Sequence, residues 1–104
     1  MTLTIDIILE NANILNMGYD IYSAFGNQIR TKLMICLAAK PKNVTDLISN
    51  CGLSQSAVSQ HLAKLKLSGL VETKKQGKEV YYSLKYKKAG RIGKLLISLE
   101  KESK

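Results

Sequence analysis

Gln55, Ser56, Ser59, Gln60 and Lys64 recur at the spacing that gathers side chains on one side of a helix. Together they make a strip that is uncharged and hydrogen-bonding at its N-terminal end and carries a lysine further along. Gln and Ser donate and accept at short range, as the base edges in a DNA major groove require, and a carboxylate in the same place would repel phosphate. The other side of the segment carries Val58, Leu62 and Leu65 at i, i+4 and i+7, with Ala57 small enough to let a neighbouring helix approach. An ordinary solvated helix face would have the same polarity, so the flanking segments must decide between the two readings.

Those segments are informative. Asn43 is placed to cap a helix whose inner face is Val44, Leu47 and Ile48, and Gly52 supplies a left-handed residue to end it. Ser54 then starts the polar-faced helix and Gly69 closes it. Next, 70–75 and 79–85 read as strands around Gln76-Gly77-Lys78, with Val80, Tyr82 and Leu84 alternating with Tyr81 and Ser83. Lys74, Lys75 and Lys78 cluster at the hairpin tip, with no acid among residues 73–78. Charged tips serve solubility, but this composition favours contact with phosphate or a minor groove. Reading helices at 43–51 and 54–68 followed by a wing at 70–85 predict a winged helix-turn-helix.

The rest of the chain has to complete that unit. A length of 104 residues, 45% of them apolar and one of them proline, predicts a single domain, 1–104. Ile5, Ile8, Leu9, Ala12 and Leu15 predict a first amphipathic helix, 4–17. A second helical stretch from about Tyr19 pauses at Gly26-Asn27, and Asn27 can cap a helix to about Ala39 bearing Leu33, Met34, Leu37 and Ala38, before Pro41 blocks continuation. The last helix, 86–102, has Ile92, Leu95, Leu96 and Leu99 as an apolar stripe among Lys87, Lys88, Arg91, Lys94 and Lys101. The expected class is therefore mainly α with a small β-hairpin, about five to six helices and a two-stranded wing. Three helices and a wing do not need both terminal helices to cover them. The helices at 4–17 and 86–102 are thus candidate dimerisation elements, the alternative being that they complete a monomer core.

Charge narrows the choice of partner. Residues 1–59 hold four cations against four carboxylates, residues 60–104 hold twelve against four, and all of the net +8 lies in the second part. A basic half joined to a neutral half suggests a polyanion, either phosphate backbone or anionic membrane. Membrane is the weaker choice, because no helix pairs a basic face with exposed large aromatics. An enzyme is not expected: there is one histidine, no metal-ligand cluster and no phosphate-loop glycine pattern. Cys36 and Cys51 have no CxxC spacing and no disulfide framework is expected; the opening MTLTIDIILENANIL resembles neither a signal peptide nor a membrane span, which predicts a cytoplasmic location.

AFGNQIR at Ala24–Arg30, LSQSAVSQHLAKLKLSGLV at Leu53–Val71 and QGKEVYYSL at Gln76–Leu84 resemble the arsenic-repressor-like (ArsR/SmtB) family of winged-helix transcriptional regulators. The first stands where the family has a segment like ALADPTR, the second follows its recognition-helix signature, and the third looks like its wing. The resemblance covers about Tyr19–Leu84 and implies a homodimer, joined through its first and last helices, that binds an imperfect palindrome in double-stranded DNA and acts mostly as a repressor. It implies that Gln55, Ser56, Ser59 and Gln60 face bases, with Ser54 at the start of their helix. Thr45, His61 and Lys64 would lie near bases or phosphates, with Lys74, Lys75 and Lys78 on the wing. The recognition helices of such a dimer sit in successive major grooves, roughly 34–36 Å apart.

The departures from the family bear on its sensing chemistry. Asn43-Val44-Thr45 stands in place of a CVC-type segment, and Asn and Thr cannot replace thiolates for soft metals. Residues 85–104 contain no histidine, and Glu100 with Glu102 makes a poor zinc site, so no metal and no cofactor is expected. Cys36 and Cys51 remain as a possible thiol sensor, against the alternative that each is a small buried apolar residue. Other readings compete with an inducible repressor: an effector-independent DNA binder, or a winged-helix adaptor for protein or RNA.

Overall fold

A computed structural model describes residues 20–104 of the chain. The expected helix at 4–17, with its interface candidates Ile5, Ile8, Leu9, Ala12 and Leu15, lies outside the described residues. Within them the order is α1 (Ile21–Phe25), α2 (Gln28–Ala39), α3 (Val44–Cys51), α4 (Gln55–Leu67), β1 (Val71–Gln76), β2 (Glu79–Leu84) and α5 (Lys88–Glu102).

The starts of α1 to α4 each have a side-chain acceptor. Asp20 accepts from Ser23 N at 2.9 Å, Asn27 from Arg30 N at 3.0 Å, and Ser54 Oγ from Ala57 N at 3.3 Å. Asn43 forms a full capping box, accepting from Asp46 N at 2.7 Å while Asp46 accepts from Asn43 N at 3.3 Å. Gly52 ends α3 at φ +67°, a left-handed conformation that L side chains resist. α5 is the exception: it begins at Lys88 with no side-chain cap, two residues later than the spacing predicts.

The core is built on α2. Leu33, Met34 and Leu37 meet Leu47 of α3, Val58, Leu62 and Leu65 of α4, and Leu70 and Val71 at the root of the hairpin, all of them buried. α5 lies against the opposite side of α2 and buries not its large residues but Ala89, Gly90 and Gly93. An added Cβ at Gly90 would stand 2.6 Å from Ala38 Cβ, and one at Gly93 would stand 3.1 Å from Ile35 Cγ1, so the two helices touch almost backbone to backbone. Ile92, Leu95, Leu96 and Leu99 consequently point outward, at 39, 70, 38 and 60% exposure.

β1 and β2 pair antiparallel, Val71 with Leu84 through Gln76 with Glu79, around Gly77 at φ +62°. Tyr82 and Leu84 pack on the helices as their alternation predicts, whereas Val80 is carried past the helices and is exposed. Lys42 and Tyr82 exchange backbone hydrogen bonds at 2.9 and 2.8 Å, which fixes the hairpin to the body, and Lys85 N donates to Leu70 O at 2.9 Å, which closes the hairpin's root. Lys42 is itself buried, its ammonium donating to the Cys36 carbonyl. No helix among the described residues is long and apolar enough to cross a membrane.

Candidate nucleic-acid interface

Burial of Val58, Leu62 and Leu65 turns the other side of α4 to solvent, and Gln55, Ser56, Ser59 and Gln60 are all exposed there. α4 contains no carboxylate, and its basic residues Lys64 and Lys66 lie in its last turn. Thr45 is exposed at the start of α3. Lys74, Lys75 and Lys78 are exposed on the hairpin. Because side chains alternate along a strand, Lys74 and Lys75 stand on opposite faces of the hairpin while Lys78 lies in its turn. The projecting tip therefore offers a cation to each side.

Three expected contact residues are engaged or placed differently from the exposed strip. Ser54 uses its hydroxyl as the α4 cap, although it is exposed. Lys64 and His61 are half-buried at the edge of the polar strip rather than on its crest. Arg30 of α2 donates from Nη1 to His61 Nδ1 at 3.2 Å and from Nη2 to the Ser23 carbonyl of α1 at 2.8 Å. Burial, then the charge of Arg30, then that of Lys64, holds His61 below the ordinary imidazole range, which leaves it neutral at neutral pH.

Three residues near this surface were not singled out from sequence. Glu79, at the start of β2, accepts from Asn43 Nδ2 and, at 3.3 Å, from the Tyr81 hydroxyl, tying the wing to the cap of α3. Its charge, and then its hydrogen bond, raise the Tyr81 pKa, so the phenol remains a donor. Asp46 could have been found from its position three residues after Asn43, the capping-box spacing. For the buried Lys42 the local sequence holds no signal.

The two cysteines depart from expectation. Cys36 on α2 and Cys51 in the last turn of α3 form an intrachain disulfide with Cα atoms 6.8 Å apart, where no disulfide framework was expected. The pairing arises because α3 folds back across α2, bringing together positions 15 residues apart. Among the described residues no group of three or more His, Cys, Asp or Glu is arranged to hold a metal ion.

Two helices joined at Gly52, the second presenting a polar face, with a hairpin anchored beside them, make this a winged helix-turn-helix. Comparison with known proteins agrees. The sequence model described as "Bacterial regulatory protein, arsR family" matches residues 27–73. The transcriptional activator HlyU of Vibrio cholerae is 43% identical over 61 residues, 59% of this chain and 56% of that protein. The crystal structure of HlyU from Vibrio vulnificus superimposes with a TM-score of 0.65 at 36% identity, covering 95% of this chain and 98% of that one. That of the transcriptional repressor PagR of Bacillus anthracis gives 0.64 at 34% identity, covering 86% and 97%. The chain belongs to the arsR family of bacterial regulatory proteins. Its matched stretch spans about half the length of the curated relatives it matches.

Proposed function

We propose that this chain is a sequence-specific double-stranded-DNA-binding transcriptional regulator that works as a homodimeric repressor on an imperfect palindrome. The observation that carries this reading is the exposed, carboxylate-free face of α4, with Gln55, Ser56, Ser59 and Gln60 in a row, beside a wing that projects Lys74, Lys75 and Lys78. Glutamine and serine read base edges, the wing lysines neutralise phosphate, and the half-buried Lys64 adds a cation at the end of the strip. A relative described as an activator and another described as a repressor fit a regulator whose sign depends on where its operator lies.

Dimerisation is supported by the outward stripe Ile92, Leu95, Leu96 and Leu99, of which Leu95 and Leu99 are mostly exposed and Ile92 and Leu96 only partly covered among the described residues. In this reading it packs with its two-fold mate and with the segment containing Ile5, Ile8, Leu9, Ala12 and Leu15. The test is substitution at the reading face: Gln55→Ala and Ser59→Ala should each relax discrimination at one base pair, by about 1–3 kcal/mol, while sparing non-specific binding. Unchanged discrimination in both variants would contradict the assignment of α4.

One observation favours a second, compatible reading. The Cys36–Cys51 bond joins the core helix α2 to the end of α3, immediately before the turn that sets the angle of α4. A thiol-responsive regulator would bind DNA differently in its reduced and oxidised forms. Equal affinity for one operator in the two forms would dismiss that reading.

A further inference from the structure

His61 lies at the edge of the reading face, and its only side-chain hydrogen bond among the described residues goes to Arg30. A guanidinium has five N–H donors, no acceptor, and a charge it does not lose at any ordinary pH. The 3.2 Å contact is therefore a hydrogen bond in one direction only, with Arg30 donating and Nδ1 supplying a lone pair. That fixes the imidazole as the neutral Nε2–H tautomer, because an Nδ1–H would point at another N–H. No buried side-chain nitrogen or oxygen among the described residues lacks a partner. Nε2 has no partner among the described residues and so is not fully enclosed by them, which leaves its N–H without an acceptor there, on a half-buried side chain between Gln60 and Lys64 on α4.

Arg30 is itself held on two other sides. Its backbone N–H is capped by Asn27, and its second guanidinium nitrogen donates to the Ser23 carbonyl. One side chain thus joins α1, the start of α2 and the recognition helix. We propose that Arg30 is a positioning residue of the DNA interface, clamping His61 in the Nε2–H tautomer so that the imidazole offers one neutral, outward donor to the DNA. The proposal rests on the DNA-binding reading above.

The charged groups around His61 all act in one direction. Arg30 faces it from α2 and Lys64 flanks it on its own helix, both cationic. From α1 the clamp uses only the Ser23 carbonyl, and the nearby Asp20 carboxylate is engaged by Ser23 N. A proton added to His61 would place an N–H against the guanidinium and a third positive charge in the cluster, so acid opens the clamp. The fold stability that His61 contributes is present above the ordinary imidazole pKa of about 6.5 and is lost as the pH falls through its lowered folded value.

His61 is the only histidine in the chain, so its imidazole nitrogens can be followed without assignment ambiguity by ¹⁵N NMR of the free protein. At pH 7.5 the wild type should show a lone-pair-type Nδ1 and a protonated Nε2. Arg30→Met should move both nitrogens toward the average of two exchanging tautomers and raise the titration midpoint. Arg30→Lys, which keeps the charge and loses the fork, should average the tautomers while holding the midpoint down. Specific duplex affinity should fall roughly tenfold in Arg30→Met, the size expected for one misdirected hydrogen bond. A wild-type His61 in the Nδ1–H tautomer overturns the proposal even if no variant folds, as does a tautomer and midpoint that Arg30→Met leaves unmoved. A wild type that binds no duplex would overturn the DNA reading, and with it Arg30's place in an interface, even where the spectra show the clamp intact.

Discussion

Removing the wing charges gives the most quantitative test of how the hairpin is used. Lys74 and Lys78 are exposed, lie on one hairpin face and in the turn, and take no part in the links that hold the wing to the body. Their replacement by glutamine should therefore leave the fold intact. Each cation that neutralises a phosphate contributes about 0.9 to the slope of log affinity against log salt. The Lys74→Gln/Lys78→Gln pair removes two cations from each protomer, so the slope should become shallower by about 1.8 per protomer and 3.6 per dimer. Between 50 and 200 mM salt that difference amounts to about two orders of magnitude in how much affinity is lost. Fluorescence anisotropy of a labelled duplex, titrated at four or five salt concentrations, measures it directly. Lys74→Arg/Lys78→Arg should keep the wild-type slope. So should Lys101→Gln, near the opposite end of α5 from the end that follows the wing. A slope unchanged by loss of the wing lysines, in a protein with wild-type circular dichroism, would refute the claim that the wing engages phosphate.

Other consequences follow from the packing. Reduction of Cys36–Cys51 reopens a loop of 15 residues and should cost about 3 kcal/mol, read as a lower urea midpoint in the reduced protein; identical midpoints would mean that the bond does not constrain the unfolded chain. Gly90→Ala should destabilise despite a helix-propensity gain of about 1 kcal/mol, because the new methyl meets the Ala38 Cβ, which cannot rotate away. A more stable variant would show that α2 and α5 separate easily. Leu62→Ala, at a fully enclosed position of α4, should cost about 2–5 kcal/mol in the same assay. Near-wild-type stability there would place α4 outside the cooperative core.

The local chemistry of this fold can be read directly from the sequence. Asn27, Asn43 and Ser54 cap the helices that their positions predict, Gly52 and Gly77 take the left-handed conformations their turns need, and Val58, Leu62 and Leu65 are buried as their spacing requires. Each of these features depends on a few neighbouring residues. What was not legible depends on how helices cross. Periodicity locates the stripe Ile92–Leu99 on α5 but not its direction, and close contact through Gly90 and Gly93 sends that stripe outward. The Cys36–Cys51 bond, the burial of Lys42 under the wing and the Arg30–His61 clamp join residues that are distant in sequence or meet only once α2, α3 and α4 have packed. The polar face of α4 was readable residue by residue, except that His61 and Lys64 lie at its half-buried edge.

In the proposed function the exposed face of α4 and the lysine wing read duplex DNA by sequence. That function is tested most directly by selecting bound duplexes from a random pool at near-physiological salt, with reduced and with oxidised protein in parallel. The expected result is enrichment of a two-fold-symmetric site whose half-sites lie about one helical turn apart, with Gln55→Ala relaxing one position in each half. Failure to enrich any sequence in either redox state would contradict the proposed function.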